Sequence, residues 1–220
     1  MAEVLVERKD LLVTFILDES GSMESCKDAT IKGFNEYISK LQEEKNRNTF
    51  LTLTRFNSSK VDVYLKEYNI ANSECILKDY NPDHSTPLYD AIGRSIKDAE
   101  TKDRDVICII MTDGYENDSK EFTKDAIKNL IKEKENEGWL FVFLGANIDT
   151  YAVGNTFGIH AGNVSNYTYD TVSEVYSCLA ENCKGYSGFS GISGYRGYSG
   201  ISDYSFFTSE NKSKIEGGIK

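Results

Sequence analysis

Apolar and polar positions change rhythm several times along the chain, and each change marks an element. Leu11–Leu17 is a near-continuous apolar run, the pattern of a strand covered on both faces. Asp18–Met23 follows with small and polar residues and predicts a loop. Ile31, Phe34, Tyr37, Ile38 and Leu41 then recur at helical spacing, predicting a helix from about Ser25 to Glu44. Thr49–Asn57 alternates like a strand, and Val61–Glu67 reads as its hairpin partner. Pro87 suits a first helical turn, and Leu88, Ala91, Ile92 and Ile96 continue one face. Asp105–Met111 is a second buried strand that ends in Thr112-Asp113-Gly114. Thr123 is placed to cap a helix through Glu137, with Ala126, Ile127, Leu130 and Ile131 inward and Gly138 as its stop. Trp139–Leu144 is a third buried strand. A short helix near Thr150–Phe157, a short strand near Gly162–Tyr167 and a helix near Thr171–Cys183 complete the series. Alternating strands and helices of this kind predict an α/β domain with a largely parallel sheet.

Near Lys184 the pattern stops, which places a domain boundary there and assigns residues 1–183 to the domain. From Gly185 the chain reads GYS-GFS-GIS-GYR-GYS-GIS, six Gly-x-y triplets. Gly at every third position is what a collagen-like axis requires, yet no Pro lies in the run to bias it toward the extended helix. Residues 184–205 therefore read either as a flexible Gly/Tyr/Ser linker or as an assembly tail that self-associates or docks through its evenly spaced Tyr, Phe and Ile. Phe206 and Phe207 could form a short anchoring motif. Residues 206–220 are expected to be a flexible, frayed end.

Charge narrows the choice of partner. The 220 residues carry 35 Asp plus Glu against 25 Lys plus Arg, a formal net charge of −10. Residues 184–220 hold five basic and three acidic residues, +2, which leaves −12 for residues 1–183. That surface disfavours nucleic acid and anionic membranes and favours divalent cations. No apolar run approaches the ~20 residues of a membrane span. Leu11–Leu17 is too short, and too closely preceded by charged Glu7–Asp10, for a signal peptide. Five cysteines without a C-x-x-C pair read as reduced thiols of a cytoplasmic protein. His84 and His160 are too few for a multi-histidine zinc site.

Three polar clusters fall at strand ends or at a neighbouring helix start: Asp18-x-Ser20-x-Ser22, Thr86 before the Pro87 helix, and Asp113 in the Thr112-Asp113-Gly114 turn. In open α/β sheets ligands bind at that edge. Carboxylates and hydroxyls without sulfur suit hard cations, Mg²⁺, Mn²⁺ or Ca²⁺. Singly, each cluster has a plainer explanation: Asp18 and Ser20 as helix caps, Asp113-Gly114 as a turn. Their ordered company favours an ion site. His84, Asp90 and Glu116 lie near it and are candidates for its rim or second layer, or for solvated and helix-surface positions. Asp149 and Tyr151 could border it, although helix capping accounts for Asp149 equally well.

With these residues the sequence resembles the von Willebrand factor A family over about residues 10–180. Asp18, Ser20, Ser22, Thr86 and Asp113 match that family's metal-ion-dependent adhesion site in order and context. The resemblance implies a central, mostly parallel six-stranded sheet flanked by helices. It implies direct ligation by Ser20, Ser22 and Thr86, with Asp18 and Asp113 acting mainly through waters and hydrogen bonds, and a sixth position taken by a partner's Asp or Glu. More narrowly, Thr86-Pro-Leu-Tyr-Asp-Ala91, Phe141–Ala146 and Ala161-Gly-Asn163 resemble small stand-alone bacterial and phage members. The aromatic Gly triplets are similar to those of bacteriophage structural proteins, which would allow virion association.

Enzyme signatures are absent from the sequence: no G-x-x-x-x-G-K-[ST] phosphate loop, no G-x-S-x-G elbow, and Ser20 where an aspartate phosphatase start would carry a second carboxylate. Two expectations follow. One is a non-enzymatic module that grips a protein partner's carboxylate through a divalent ion, Mg²⁺ by cellular availability. The other is an assembly protein whose repeat sets the oligomeric state while the ion only stabilises the fold.

Overall fold

The computed structural model describes residues 8–72, 76–99, 103–188 and 204–217. Six strands form one sheet: β1 (Leu11–Asp18), β2 (Thr49–Asn57), β3 (Lys60–Asn69), β4 (Asp105–Thr112), β5 (Leu140–Gly145) and β6 (Val164–Asn166). Their order is β3-β2-β1-β4-β5-β6, and only the β2–β3 hairpin is antiparallel. Six helices cover the sheet: α1 (Lys27–Leu41), α2 (Leu88–Asp98), α3 (Lys124–Asn136), α4 (Thr150–Phe157), α5 (Val172–Gly185) and α6 (Ser209–Ile215).

The apolar run of β1, interrupted only by Thr14 before Asp18, is explained by its place. It pairs with β2 from Leu11↔Thr49 to Asp18↔Phe56 and with β4 from Leu11↔Asp105, so both of its edges are taken, and helices cover both of its faces. Leu11, Val13, Phe15 and Leu17 enter a core with α1 and α5, whereas Leu12 and Ile16 enter a second core with α2, α3 and α4. Full burial of such a side chain is worth about 1.5–3 kcal/mol. Gly33 lets α1 approach α5: a Cβ there would meet the Tyr176 ring at 2.4 Å. The charged and polar alternation of β3 fits an edge strand, and its side chains are only partly buried.

Local signals place the boundaries. Thr123 caps α3 by accepting from the Ala126 amide at 3.3 Å, and Gly138 leaves that helix at φ +95. α1 begins at Lys27 rather than Ser25, because Gly21–Cys26 is wound more tightly as a 3₁₀ turn. β6 is shorter than expected, and α5 continues past Cys183 to Gly185.

The far C-terminal segment corrects the expectation of a frayed end. Tyr186, Phe206, Phe207 and Ile215 are all at most 2 % exposed and join the α1/α5 core. The Tyr186 and Tyr204 rings meet edge to face at 5.9 Å. The Phe206 amide donates to Asn163 Oδ1 at 2.7 Å, and the Phe207 amide donates to the Gly162 carbonyl at 3.0 Å. Thr208 and Asn211 cap α6 reciprocally. The physical reason is apolar content: Phe206, Phe207 and Ile215 bury their side chains in the core that α1 and α5 share. Residues 189–203, most of the Gly-x-y run and with it the self-association expected of that run, lie outside the described residues. Both flanks of the run are nevertheless part of the domain, and the boundary at Lys184 does not hold for Tyr186 or for residues 204–217.

Among the described residues no helix is long and apolar enough to cross a membrane. Cys26, Cys108, Cys178 and Cys183 are buried and free.

Candidate metal site at the carboxyl edge of the sheet

The ends of β1 and β4 and the start of α2 converge at one edge. Asp18 closes β1 with its side chain fully buried. Its Oδ1 accepts from the Ser20 amide at 2.7 Å and its Oδ2 from Thr112 Oγ1 at 2.5 Å. Ser20 Oγ lies 3.2 Å from Ser22 Oγ, and Ser22 Oγ donates to Asp113 Oδ1 at 2.5 Å. Thr86 reaches the same cluster from the α2 side. A Cβ at Gly114 would stand 2.9 Å from Thr86 Oγ1, so the T-D-G turn needs its glycine for this approach. Asp18, Ser20, Ser22 and Asp113 are thus gathered at one edge by hydrogen bonds, and Thr86 stands beside Gly114. Ser20, Thr86 and Asp113 are buried, and Ser22 is open to solvent.

Backbone bonds hold the three loops in register. The Gly21 amide donates to the His84 carbonyl at 3.0 Å, the Asp83 amide to the Glu19 carbonyl at 3.0 Å, and the Asn117 amide to the Thr86 carbonyl at 3.1 Å. Asn117 Oδ1 accepts from the Thr86 amide in return, at 2.8 Å. Glu19, between two motif residues, turns away from the edge. Its carboxylate sits 3.1 Å from Lys60 Nζ and 3.7 Å from Arg55 and accepts from the Asn81 amide. It clamps the β2–β3 hairpin to the first loop.

The three rim candidates serve the scaffold. The His84 side chain is exposed, its backbone sits at φ +68, and its carbonyl makes the loop contact. Asp90 accepts from the amides of Lys120, Glu121 and Phe122 at 2.8–2.9 Å. Burial pushes its carboxyl up, but those three donors outweigh burial and leave its pKa below the ordinary value. Glu116 accepts from the amides of Tyr89, Asp118 and Ser119. Both carboxylates are occupied in shaping the 116–122 loop and do not join the hydroxyl cluster. Asp149 caps α4 through the Ala152 amide, and Tyr151 donates to Glu216 at 2.6 Å.

Several contributors were hidden in the sequence. Tyr169 Oη donates to Asp113 Oδ2 at 2.7 Å and accepts from Asn147 Nδ2 at 2.7 Å. Tyr169 lies 56 residues from Asp113, and no spacing rule links them. Thr112 was visible only as part of the T-D-G turn. The Tyr80 hydroxyl donates to the Asp18 carbonyl, again without a local signal.

Burial pushes the Asp18 carboxyl up to about 6, against the hydrogen bonds from Thr112 and Ser20. A buried carboxylate with no cationic partner is the electrostatic condition a bound cation relieves. The donor set fits a hard ion: all oxygen, two carboxylates and three hydroxyls. Among the described residues no group of three or more His, Cys, Asp or Glu is placed to hold a metal ion. Beside Thr86, a polar cavity of about 490 Å³ opens between Asn57–Val61 and the 118–121 loop, with Lys60, Arg94 and Lys120 on its wall.

No family model and no curated relative match the chain. Solved structures do. Proximal thread matrix protein 1 of the mussel byssus aligns with TM-score 0.62 and 12% identity, covering 82% of this chain and 47% of its own. This chain thus spans about half the length of that protein, which is also known with zinc occupying its metal-ion-dependent adhesion motif. The von Willebrand factor domain of the type V pili tip protein Mfa5 from Porphyromonas gingivalis aligns with TM-score 0.63 and 10% identity, covering 80% of this chain and 95% of that one. The von Willebrand factor type A structure from Catenulispora acidiphila gives 0.57 and 12%, covering 81% of this chain and 43% of that one. At these identities the likeness establishes architecture, and the architecture of this chain is that of the von Willebrand factor A domains.

Proposed function

We propose that this chain is a non-enzymatic interaction module that binds a divalent cation, Mg²⁺ in the cell, and through it a protein partner's Asp or Glu carboxylate. One observation carries the proposal: the hydroxyls of Ser20 and Ser22 and the Asp113 carboxylate meet in a hydrogen-bonded cluster at the carboxyl edge, with Thr86 beside Gly114 and Ser22 left open to solvent. Ser20, Ser22 and Thr86 would hold the ion directly. Asp18 and Asp113 have both oxygens engaged by neutral donors, so they orient the hydroxyls and supply negative charge around them. When bound, the ion supplies a point of positive charge to which an incoming carboxylate adds. Neutral hydroxyls leave that charge partly uncompensated, and the negative protein surface cannot attract an acidic partner without it. The adhesion and matrix settings of the structural neighbours agree with such a role.

Thermal unfolding in chelator and then in Mg²⁺, Mn²⁺ or Ca²⁺ tests the ion site. An ion at 100 times its Kd stabilises by about 2.7 kcal/mol, roughly 5–10 °C for a chain of this size. The shift is expected to disappear in Asp113→Ala. A shift retained there, or absent with every ion, would refute the site. For a partner once in hand, binding should vanish with chelator and weaken several-fold when the key acid becomes its amide.

A further inference from the structure

Residues 204–217 sit in the fold as a separate piece in a groove made by the rest of the chain. Phe206, Phe207 and Ile215 fill its apolar floor, in the core that α1 and α5 share. The backbone of the piece bonds to the turn before β6, through the Phe206 amide to Asn163 Oδ1 and the Phe207 amide to the Gly162 carbonyl. Gly162 makes the room: a Cβ there would stand 2.2 Å from Ser205 Oγ. A polar latch holds the other end. Lys212 donates to the Ala161 carbonyl at 2.6 Å, and Glu216 Oε1 accepts from Tyr151 Oη at 2.6 Å and from Ser165 Oγ at 3.1 Å.

Groove and occupant are joined by more chain than their closure uses. The Tyr186 and Tyr204 rings meet at 5.9 Å, so the chain leaves the described fold and re-enters it at one place. Residues 189–203 lie between, and fifteen residues drawn out at about 3.1 Å each would part the two ends by roughly 45 Å. That reach extends to the groove of another copy. A segment that fits its own groove fits the identical groove of a second copy through the same contacts, so the connection and the concentration decide between them. Charge favours the exchange. Residues 184–220 carry +2 and residues 1–183 carry −12, so the C-terminal part of one copy is the region that another copy's domain attracts.

We infer that the groove between α5, β6 and the 161–163 turn is a docking site for residues 204–217 of a second copy, and that copies of this chain link by exchanging this segment. The bond between copies is the groove and its occupant, and the Gly-x-y run contributes reach. None of the groove contacts involves Asp18, Ser20, Ser22, Thr86 or Asp113, so the inference stands apart from the ion site.

A disulfide across the contact tests it. Asn211 Nδ2 donates to Cys178 Sγ at 3.7 Å, so Asn211→Cys places two thiols at the junction of segment and groove. The full chain with this substitution is warmed to just below unfolding, cooled, oxidised and resolved without reductant. A connection of this kind keeps the segment at its own groove at an effective concentration on the order of 1 mM. At about 10 µM protein nearly all 178–211 links should therefore lie within one chain, and at about 1 mM roughly half should join different chains, as located by peptide mapping. Adding Cys178→Ser should abolish the ladder of linked chains. Links confined to single chains at both concentrations, or a ladder that survives Cys178→Ser, would overturn the inference. Asn211 also caps α6, so the unsubstituted chain supplies a second reading by light scattering. Oligomers formed by the same warming at about 1 mM should persist on cold dilution and fall to monomer when the diluted sample is rewarmed. A chain that stays monomeric throughout would overturn the inference as well.

Discussion

Asp18 and Asp105 stand on neighbouring strands at opposite edges of the sheet, and their surroundings differ in kind. Asp105 opens β4 with Arg47 Nη1 at 3.5 Å, and that guanidinium is fully buried. Arg47 continues to the Cys183 carbonyl at 2.6 Å, while Arg8 donates to the carbonyls of Lys184 and Tyr186. Asp18 closes β1 with only a threonine hydroxyl and an amide. Burial raises both carboxyls, and at Asp105 the arginine pulls the other way. One edge is thus an ionic lock that ties β4, the 47–49 approach to β2 and the end of α5. The other edge is left with neutral donors around negative charge, the arrangement a cation completes. The same residue type serves closure at one end and the proposed ion site at the other because its neighbours differ, and the fold alone brings those neighbours together.

The largest effect is expected at the closed edge. Ending the chain after Lys184 removes Tyr186, Phe206, Phe207 and Ile215 from the core. At about 1.5–3 kcal/mol for each buried side chain, the loss rivals the whole stability of a domain. Circular dichroism should find the shortened chain largely unfolded at 25 °C. A cooperative transition near that of the full chain would contradict the packing described. Next, Arg47→Ala strands Asp105 and should cost about 3–5 kcal/mol, measured by denaturant unfolding. The surviving fold should keep its Mg²⁺-dependent shift, since the two edges are independent. Loss of that shift would show that they are coupled.

Smaller effects belong to the open edge. Tyr169→Phe removes one donor to Asp113 and should cost about 1 kcal/mol. Mn²⁺ affinity, followed by titration, should fall several-fold, and the unfolding temperature in chelator should drop by about 2–4 °C. Smallest is a carboxyl with neither a cation nor a hydroxyl partner. Burial pushes Glu135 on α3 up from 4.5 to about 7. A raised native pKa means that the folded chain holds the proton more tightly than the unfolded chain. Its contribution is full below about 4.5 and is lost as pH rises through about 7. Glu135→Gln should flatten that decline in a series of unfolding curves, and an unchanged slope would exclude Glu135 as its source.

Much of this molecule is legible in local patterns. The six apolar residues of Leu11–Leu17, the helical spacing of α1 and the Thr123 cap depend on neighbours a few positions away, and the structure follows them closely. The positions of the five residues proposed for the ion were legible as well, because each lies where an element closes or opens at a predictable edge. Asp90 and Glu116 were less so: an acid near a motif looks the same whether it faces an ion or a set of backbone amides. The C-terminal segment was misread for the converse reason. Phe206, Phe207 and Ile215 have no periodic company, and their burial depends on a surface made by α1, α5 and the 162–163 turn.

The sequence by itself thus determined the strand and helix order, the edge at which polar groups gather and the hard-oxygen character of the donor set. Those properties follow from local propensity, burial period and side-chain chemistry. Only the tertiary structure decided which carboxylates serve the scaffold, that Tyr169 and Asn147 stand behind Asp113, and that residues 204–217 complete the core. Each of these depends on contacts between residues up to tens of positions apart, which form only when the sheet and its loops are assembled.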